Sequence, residues 1–296
     1  MVSPKQLATA LGVSESSLKR WADGGQIDAV RTAGGHRRIP LHEAVRFIRH
    51  MGLPVLRAEA IGLAEQTLDL PDWRDRPGVC DAFHLAIEAG RAADALLILQ
   101  SCYLAGWSVS AIADGPIREV LGRVGQLWQH AEWGIIVEHR ATDICLQGLN
   151  MLRTLLPPRH TGAPVALGGA GGEDPYILPS LVAAVALADC GFNEINLGPL
   201  TPGRVLANAI AHYSPAIVWF SLSKAPAAEE VLAELALIRD AALKAGAEVV
   251  AGGRAFAKLP PIQMPGVHIA HSMAEIEALA RARFQDLLSD HNLPNG

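Results

Sequence analysis

The sequence predicts a multidomain fold of mixed α and α/β class, in which three segments of different character follow one another along 296 residues. The first segment contains two short helices and a glycine hairpin, which is typical of a winged helix-turn-helix. The second contains four helices with wide apolar faces and predicts a four-helix bundle. The third alternates strands with helices and predicts a doubly wound parallel sheet of Rossmann-like type.

Composition limits the classes of protein to which the chain can belong. Half of the residues are apolar and 19% are charged, which allows a sizeable core and argues against global disorder. No apolar run reaches the roughly 18 residues of a membrane span, and the N-terminus does not have the pattern of a signal peptide. We expect a soluble, cytoplasmic protein with reduced thiols, because the cysteines are scattered without a C-x-x-C motif: Cys80, Cys102, Cys145 and Cys190.

The charge of the chain is distributed unevenly. The net charge is −5, yet residues 1–50 contain eight Lys and Arg against four Asp and Glu, so this head carries +4 and the rest carries −9. A basic head on an acidic body indicates that only the head binds a polyanion, and no membrane partner is expected.

Two helices are predicted at the start of the head. Ser3 and Pro4 suit the N-cap and the first helical position of a helix that Gly12 ends, and Ser14 caps the next helix. We expect a small core formed by Leu7, Leu11, Val13, Leu18 and Trp21. The outward-facing side chains that can reach the major groove and the phosphates of DNA are Ser16, Ser17, Lys19 and Arg20.

A basic hairpin follows, with the sequence RTAGGHRRI over residues 31–39. Gly34 and Gly35 supply the positive φ of a tight turn, and the cationic side chains of the hairpin are Arg31, His36, Arg37 and Arg38. The hairpin and its order after the two helices resemble the MerR family of transcription regulators. The resemblance implies a DNA-binding domain over 1–51, in which the helix from Ser14 enters the major groove and Arg37 and Arg38 contact phosphates. The alternative is a solvated hairpin of a protein-binding module.

The middle of the chain is predicted to be a linker over 52–76 and a helical bundle over 77–158. The expected bundle helices are 77–88, 91–105, 108–130 and 133–156. No long coiled coil follows the head, so we expect the body to form the homo-oligomer, a dimer or a tetramer.

One bundle helix contains a polar pair that is costly to bury unless it is paired or ligand-bound. Trp128 is followed by nine residues and then by Glu138 and His139. The alternative is a solvated helix face with Trp128 in the core. The spacing resembles the CarH-type cobalamin-dependent photoreceptor repressors, which implies that the bundle is a lid over a corrin ring and that these three residues line its pocket. His130 lies one residue away from that family's coordinating His, so His130 or His139 is the candidate metal ligand.

The last segment, 161–290, is predicted to be an α/β domain that binds ligands beyond the carboxyl ends of its strands. The expected strands are 164–168, 194–198, 216–221, 248–251 and 267–270. The segments at the ends of the first, third and fourth strands are GGAGGEDPYILP, WFSLSKAP and AGGRAF. They resemble the acid-x-His-x-x-Gly, Ser-x-Leu and Gly-Gly elements of cobalamin-binding domains, which implies cofactor contacts by Glu173, Ser221, Ser223, Gly252 and Gly253.

The resemblance fails at the cobalt ligand. Pro175 stands where the ligating His belongs, so the usual lower axial His–cobalt bond cannot form. Three outcomes follow: cobalamin binds with its own dimethylbenzimidazole attached, another tetrapyrrole such as biliverdin or haem takes the cleft, or the cleft binds nothing. A bilin could form a thioether with Cys102 or Cys145, which are otherwise small core residues.

These segments predict a transcription regulator, a repressor rather than an enzyme. Its body senses light or a tetrapyrrole, with adenosylcobalamin as the first candidate, bound between the bundle and the α/β domain. It binds a double-stranded DNA operator and switches its oligomeric state. The alternatives are a sensor of biliverdin or haem, and a chromophore-free regulator controlled by protein partners. A dinucleotide-dependent enzyme is disfavoured because GGAGGE is not G-x-G-x-x-G.

Overall fold

The structure, a computed structural model, describes residues 1–65, 70–127, 132–159, 161–224 and 227–291. It contains two compact units. The first comprises Met1–Ser108 and Gly115–Pro158, and the second comprises Val109–Asp114 and Arg159–Gly296. The predicted fold class is confirmed: a helix-turn-helix region and helical bundle form the first unit, and a parallel sheet forms the second.

The head of the first unit has the predicted order of helices and hairpin strands. The elements are α1 (Pro4–Leu11), α2 (Glu15–Asp23), β1 (Val30–Arg31), β2 (Arg37–Arg38) and α3 (Leu41–Met51). Ser3 and Gln6 form a reciprocal capping box at the start of α1, and Gly12 ends it with φ 65°. The predicted core residues pack as expected, with Trp21 against Phe47 at 5.2 Å between ring centroids.

The bundle departs from its predicted helices at one place. Its helices in the first unit are α4 (Arg76–Glu88), α5 (Ala92–Leu104), α7 (Arg118–Leu127) and α8 (Glu132–Leu155). The predicted helix over 108–130 is broken, because Gly115 has non-helical angles and Pro116 has no N–H for the helical hydrogen bond. The preceding turn, α6 (Val109–Ile112), belongs to the second unit.

The second unit is a five-stranded parallel sheet with the order β4-β3-β5-β6-β7. Its strands are β3 (Val165–Ala170), β4 (Asn193–Asn196), β5 (Ile217–Ser221), β6 (Glu248–Gly252) and β7 (Val267–Ala270). The helices are α9 (Ile177–Asp189), α10 (Gly203–Tyr213), α11 (Ala228–Ala245) and α12 (Met273–His291). The chain passes from β3 to β4 on one side, and then crosses from β4 to β5 on the other side of β3, so the topological switch point lies between β3 and β5.

Two half-buried carboxylates hold residues 109–114 within the second unit. Asp189 accepts a hydrogen bond from the Val109 N–H at 2.9 Å. Asp114 accepts hydrogen bonds from the N–H groups of Met273 and Ala274, both at 2.9 Å, and so caps the first turn of α12. In the part of the chain that the structure describes, no helix is both long and apolar enough to cross a membrane.

Candidate functional site

Five of the eight predicted DNA-binding side chains lie on the exposed surface of the head, and Ser17, Arg37 and Arg38 are half-buried. Ser16, Lys19 and Arg20 on α2 are exposed, as are Arg31 and His36 in the hairpin. This placement brings the cationic side chains of α2 and the hairpin to solvent, where they can meet a phosphate backbone.

The serines of α2 also serve the local fold. The Ser14 hydroxyl accepts a hydrogen bond from the Ser17 N–H at 3.1 Å and lies 2.8 Å and 2.9 Å from the hydroxyls of Ser16 and Ser17. The three hydroxyls therefore form the cap that fixes where α2 begins, and a DNA contact by Ser16 or Ser17 would share the hydroxyl with this cap.

The two hairpin arginines differ in their surroundings. Arg37 forms an ion pair with Asp23 at the end of α2, with 2.5 Å between Nη2 and Oδ1. Arg38 is half-buried and has no ion pair among the residues that the structure describes. Arg37 thus ties the hairpin to α2, whereas Arg38 keeps an uncompensated charge for a ligand.

A buried carboxylate that the sequence analysis missed binds the backbone just before the hairpin. Glu43 on α3 accepts a hydrogen bond from the Asp28 N–H at 2.8 Å and is paired with Arg46. Burial alone would raise the pKa of Glu43, but the hydrogen bonds from Arg46 and from Asp28 bring the pKa below its ordinary value. The charged form is therefore the one that holds residue 28, two residues before β1.

Arg49, on the last helix of the head, contacts the bundle within the first unit. The Arg49 guanidinium lies 3.7 Å from the centre of the Tyr103 ring and donates to the carbonyl oxygens of Tyr103 and Trp107, the latter at 2.8 Å. Tyr103 is in the last turn of α5 and Trp107 lies three residues after its last residue, so both carbonyls are at the end of the helix, where the helix dipole favours a cation. The last helix of the head is in this way attached to the end of a bundle helix.

The predicted cofactor residues of the bundle are described only in part. Trp128 and His130 lie outside the described residues. Glu138 is half-buried, and the side chain of His139 is 76% exposed with Nε2 at 3.6 Å from the Glu138 carboxylate. Ile135 and Ile136, one turn earlier on α8, are also exposed. The polar pair is thus accompanied by an exposed apolar surface.

The cysteines are poor candidates for covalent attachment of a chromophore. Burial raises the pKa of Cys102 and of Cys145 to about 12. The thiolate is the nucleophile, so these side chains are unreactive at neutral pH. This observation disfavours the predicted thioether to a bilin but leaves non-covalent binding untouched.

At the switch point of the sheet, the buried acid is Asp174 and not its neighbour. Asp174 is 1% exposed, and its carboxylate accepts hydrogen bonds from the N–H groups of Tyr176, at 3.0 Å, and Ser223. Glu173 is exposed, with Lys224 at 3.9 Å. When the acid-x-His-x-x-Gly pattern is counted from Asp174 instead of Glu173, the position of the ligating His falls on Tyr176 instead of Pro175. A contact between Glu173 and a ligand stays a prediction.

The remaining predicted residues lie at the carboxyl ends of neighbouring strands. Ser221 is paired in register with Gly252, and the loops of Ser223 and Gly253 follow directly. A side chain at Gly253, where φ is 114°, would clash with the backbone of Leu222, and one at Gly252 would press on the Ala270 carbonyl. The glycine pair is therefore required by close approach of the protein's own backbone.

One polar atom at this edge has no partner that the structure describes. The Ser221 hydroxyl is buried and makes no hydrogen bond within the described residues. A buried hydroxyl without a partner costs about 1–3 kcal/mol, which a ligand at the edge would recover. Among the described residues, no group of three or more His, Cys, Asp or Glu side chains is placed to hold a metal ion.

Comparison with known proteins assigns two of the segments. Residues 1–51 match the model of a helix-turn-helix domain, and residues 79–153 match the model of a B12 binding domain. The chain combines a helix-turn-helix domain with a B12 binding domain. The B12 binding domain match spans most of the helical bundle, from α4 to α8. Its predicted cofactor residues Glu138 and His139 lie within this match, and their contacts with a ligand stay predictions.

The chain is also similar to one curated protein and to several solved structures. It is 26% identical over 286 residues to the HTH-type transcriptional repressor CarA of Myxococcus xanthus. The aligned residues cover 93% of this chain and 94% of the relative. The monomethylamine corrinoid protein of Methanosarcina barkeri is 15% identical, with a TM-score of 0.48, over 70% of this chain and 99% of its own. A cobalamin-binding protein of Desulfitobacterium hafniense is 13% identical, with a TM-score of 0.34, over 83% of this chain and 99% of its own.

Proposed function

We propose that this chain is a DNA-binding transcription repressor, not an enzyme, whose activity is controlled by a cobalamin bound to its body. The observation that carries the proposal is the presence of a helix-turn-helix domain and a B12 binding domain in one chain. The similarity to a transcriptional repressor over 93% of the chain supports the same order of parts.

The head binds its operator through two kinds of contact. Helix α2 presents Lys19 and Arg20 to the major groove, and the hairpin presents Arg31, His36 and Arg38 to the phosphates. The +4 charge of residues 1–50 supplies the non-specific attraction, while the −9 charge of the rest keeps the body away from DNA.

The residues at the switch point fit a corrinoid in some respects and not in others. The unpartnered Ser221 hydroxyl and the exposed Tyr176 ring, which follow neighbouring strands, suit a ligand with a flat apolar ring and polar substituents. No His occurs in the loops after β3 and β5, so the chain supplies no imidazole at this point. A bound adenosylcobalamin would bring a light-sensitive cobalt–carbon bond.

We further propose that light or loss of the ligand changes the oligomeric state and with it the spacing of paired heads on DNA. A ligand that binds one oligomeric state better shifts the population towards it, and paired heads bind repeated half-sites more tightly than single heads. The bundle residues Trp128, His130, Glu138 and His139 are the candidates for contacts with the cofactor's upper face.

The test is a spectrum of the purified full chain after dark incubation with adenosylcobalamin, removal of free ligand and illumination. The proposal expects a retained cobalamin spectrum that changes with light, together with a change in operator affinity and in molecular mass. Glu138→Ala and His139→Ala should weaken retention, while Asp143→Ala, at a more C-terminal exposed position on α8, is the matched control. Retention of biliverdin or haem alone would favour a repurposed tetrapyrrole sensor, and no retained colour would favour control by protein partners.

A further inference from the structure

We propose that the switch point binds a tetrapyrrole ring from outside the sheet, through Tyr176 and Arg254, with no nucleotide base inserted beside the strands and no bond from the protein to the metal. This inference rests on the proposed function and specifies how the ligand is held. A bound cobalamin accordingly keeps its own dimethylbenzimidazole on cobalt.

The first reason is that the space between the sheet and α9 is filled. Trp219 on β5 is 1% exposed, and its ring and backbone occupy the position of a side chain at Gly168 on β3. The Trp219 Nε1–H donates to Ser180 on α9 at 3.1 Å, and the Ser180 hydroxyl donates to Asn196 at 2.7 Å. The indole is thus fixed by packing and by a hydrogen-bond chain, and a detached base has no slot on this side.

The second reason is that the opposite face of the same strands is also closed. A side chain at Gly171, just after β3, would meet Leu222 at 2.8 Å and Phe220 at 3.1 Å. Both residues are at most 2% exposed and belong to the core shared with α10 and α11. The glycines of the first loop therefore accommodate the protein's own large side chains rather than a ligand.

The third reason is the surface that this edge presents instead. Tyr176, Ile177 and Leu200 are 42%, 49% and 57% exposed. The Leu200 N–H donates to the Asp174 carbonyl at 3.0 Å, and Leu200 has a φ of 54°, which is uncommon for a branched apolar residue. An exposed aromatic and aliphatic cluster beside a switch point, with one member in a strained conformation, is typical of a ligand-binding face.

Arg254 adds a charged group to this apolar face. The guanidinium carbon lies 4.7 Å from the centre of the Tyr176 ring, and the Arg254 Nε–H donates to the Ser223 carbonyl at 3.1 Å. The terminal nitrogens have no partner among the described residues and can pair with an anionic substituent. That substituent is the nucleotide phosphate in cobalamin and a propionate in a bilin or haem, whereas cobinamide, which lacks the nucleotide, has neither.

The closing experiment compares three ligands on the purified full chain. We expect cobalamin to keep a base-on absorbance spectrum when bound. In the reduced cob(II)alamin form, the electron paramagnetic resonance spectrum should show coupling to the cofactor's own base nitrogen, which changes when that nitrogen is ¹⁵N. Biliverdin is the second ligand and tests whether a ring with propionates suffices. Cobinamide is the third and should bind more weakly than either.

Single substitutions identify the contact residues. Arg254→Ala should weaken cobalamin and biliverdin binding by about tenfold, the size of one charge-assisted hydrogen bond, and leave cobinamide unchanged. Tyr176→Ala should weaken all three ligands, and Tyr176→Phe should retain binding because the ring and not the hydroxyl makes the contact. Lys258→Ala, which removes an exposed cation four residues after Arg254, is the control and should have no effect.

The outcomes separate this inference from the function on which it rests. A base-off spectrum on binding, or binding that does not respond to Arg254→Ala and Tyr176→Ala, would overturn the inference while the repressor remains a cobalamin protein. Loss of cobalamin on Tyr176→Phe would identify the phenol oxygen as a ligand and would also overturn it. If none of the three ligands is retained, the proposed function and the inference fail together.

Discussion

The head and the edge of the parallel sheet present their functional side chains in different ways. In the head, the contacts that position the functional surface join residues at most 14 positions apart, such as the Ser14 cap of α2 and the Arg37–Asp23 ion pair. At the sheet edge, Asp174 holds Ser223, which is 49 residues away, and Arg254 covers Tyr176 from another loop. Local motifs therefore predict the first surface, whereas only the register of the strands assembles the second.

The largest expected effect tests whether the Trp219 indole fills the interior of the sheet behind the edge. Trp219→Ala should lower the free energy of unfolding by about 3–5 kcal/mol, because it removes a buried indole and leaves a cavity next to Gly168. Denaturant unfolding of the full chain measures the change. The matched control is Trp73→Ala at an exposed position, which should cost less than about 1 kcal/mol. Equal losses for the two variants would show that the indole at residue 219 does not fill the sheet interior.

A second test applies to the head and its buried carboxylate. Glu43→Gln should cost about 2 kcal/mol, because it removes a charged acceptor for Arg46 and for the Asp28 N–H. The pKa of Glu43 is lowered in the folded state, so its contribution is present above the ordinary carboxyl pKa and is lost as the pH falls through the folded value.

The measurement is the free energy of unfolding between neutral and acidic pH. The wild-type protein should lose stability on acidification more steeply than the Glu43→Gln variant. Glu15→Gln, which removes an exposed partner of Lys19, is the control and should reproduce the wild-type slope. Parallel pH profiles for wild type and Glu43→Gln would contradict the role of this carboxylate.

A third test concerns the attachment of the head to the bundle. Arg49→Ala should cost about 1–2 kcal/mol, from loss of the stacking on Tyr103 and of the bonds to two carbonyl oxygens. Arg49→Lys should recover only part of the loss, because an ammonium cannot reproduce the planar stacking. Protease sensitivity of the segment after α3 reports whether the head is released. Unchanged sensitivity in Arg49→Ala would show that other contacts of α3 are sufficient.

The sequence predicts the order of domains and most elements, because helix caps, glycine turns and apolar periodicity are local signals. It does not predict the break at Gly115 and Pro116, since the apolar pattern runs across it, or the transfer of residues 109–114 to the second unit. Of the two adjacent acids in the loop after β3, the resemblance indicates Glu173, whereas the structure buries Asp174. Only the position of that loop relative to Ser223 distinguishes them.

The same limit applies to residues whose function depends on distant partners. Arg254 and Trp219 belong to no recognisable motif. The role of Arg254 follows from its contact with the Tyr176 ring, and the role of Trp219 follows from its packing against Gly168. Arg49 is one of several arginines in a basic head, and nothing in its neighbours indicates a partner 54 residues later. A sequence signal exists for Tyr176, because moving the loop motif by one residue places an aromatic side chain where a cobalt ligand is expected.

The smallest expected effect distinguishes the two arginines of the hairpin by the salt dependence of operator binding. Arg38→Ala should reduce the slope of log affinity against log salt by about one unit, since each phosphate contact releases about one counterion. Arg37→Ala should reduce the slope similarly and also cost up to about 1 kcal/mol of stability, because it breaks the ion pair with Asp23. Asp23→Asn separates these effects, because it removes the ion pair but keeps the charge of Arg37. If Asp23→Asn weakens operator binding as much as Arg37→Ala does, then Arg37 positions the hairpin and does not contact phosphate.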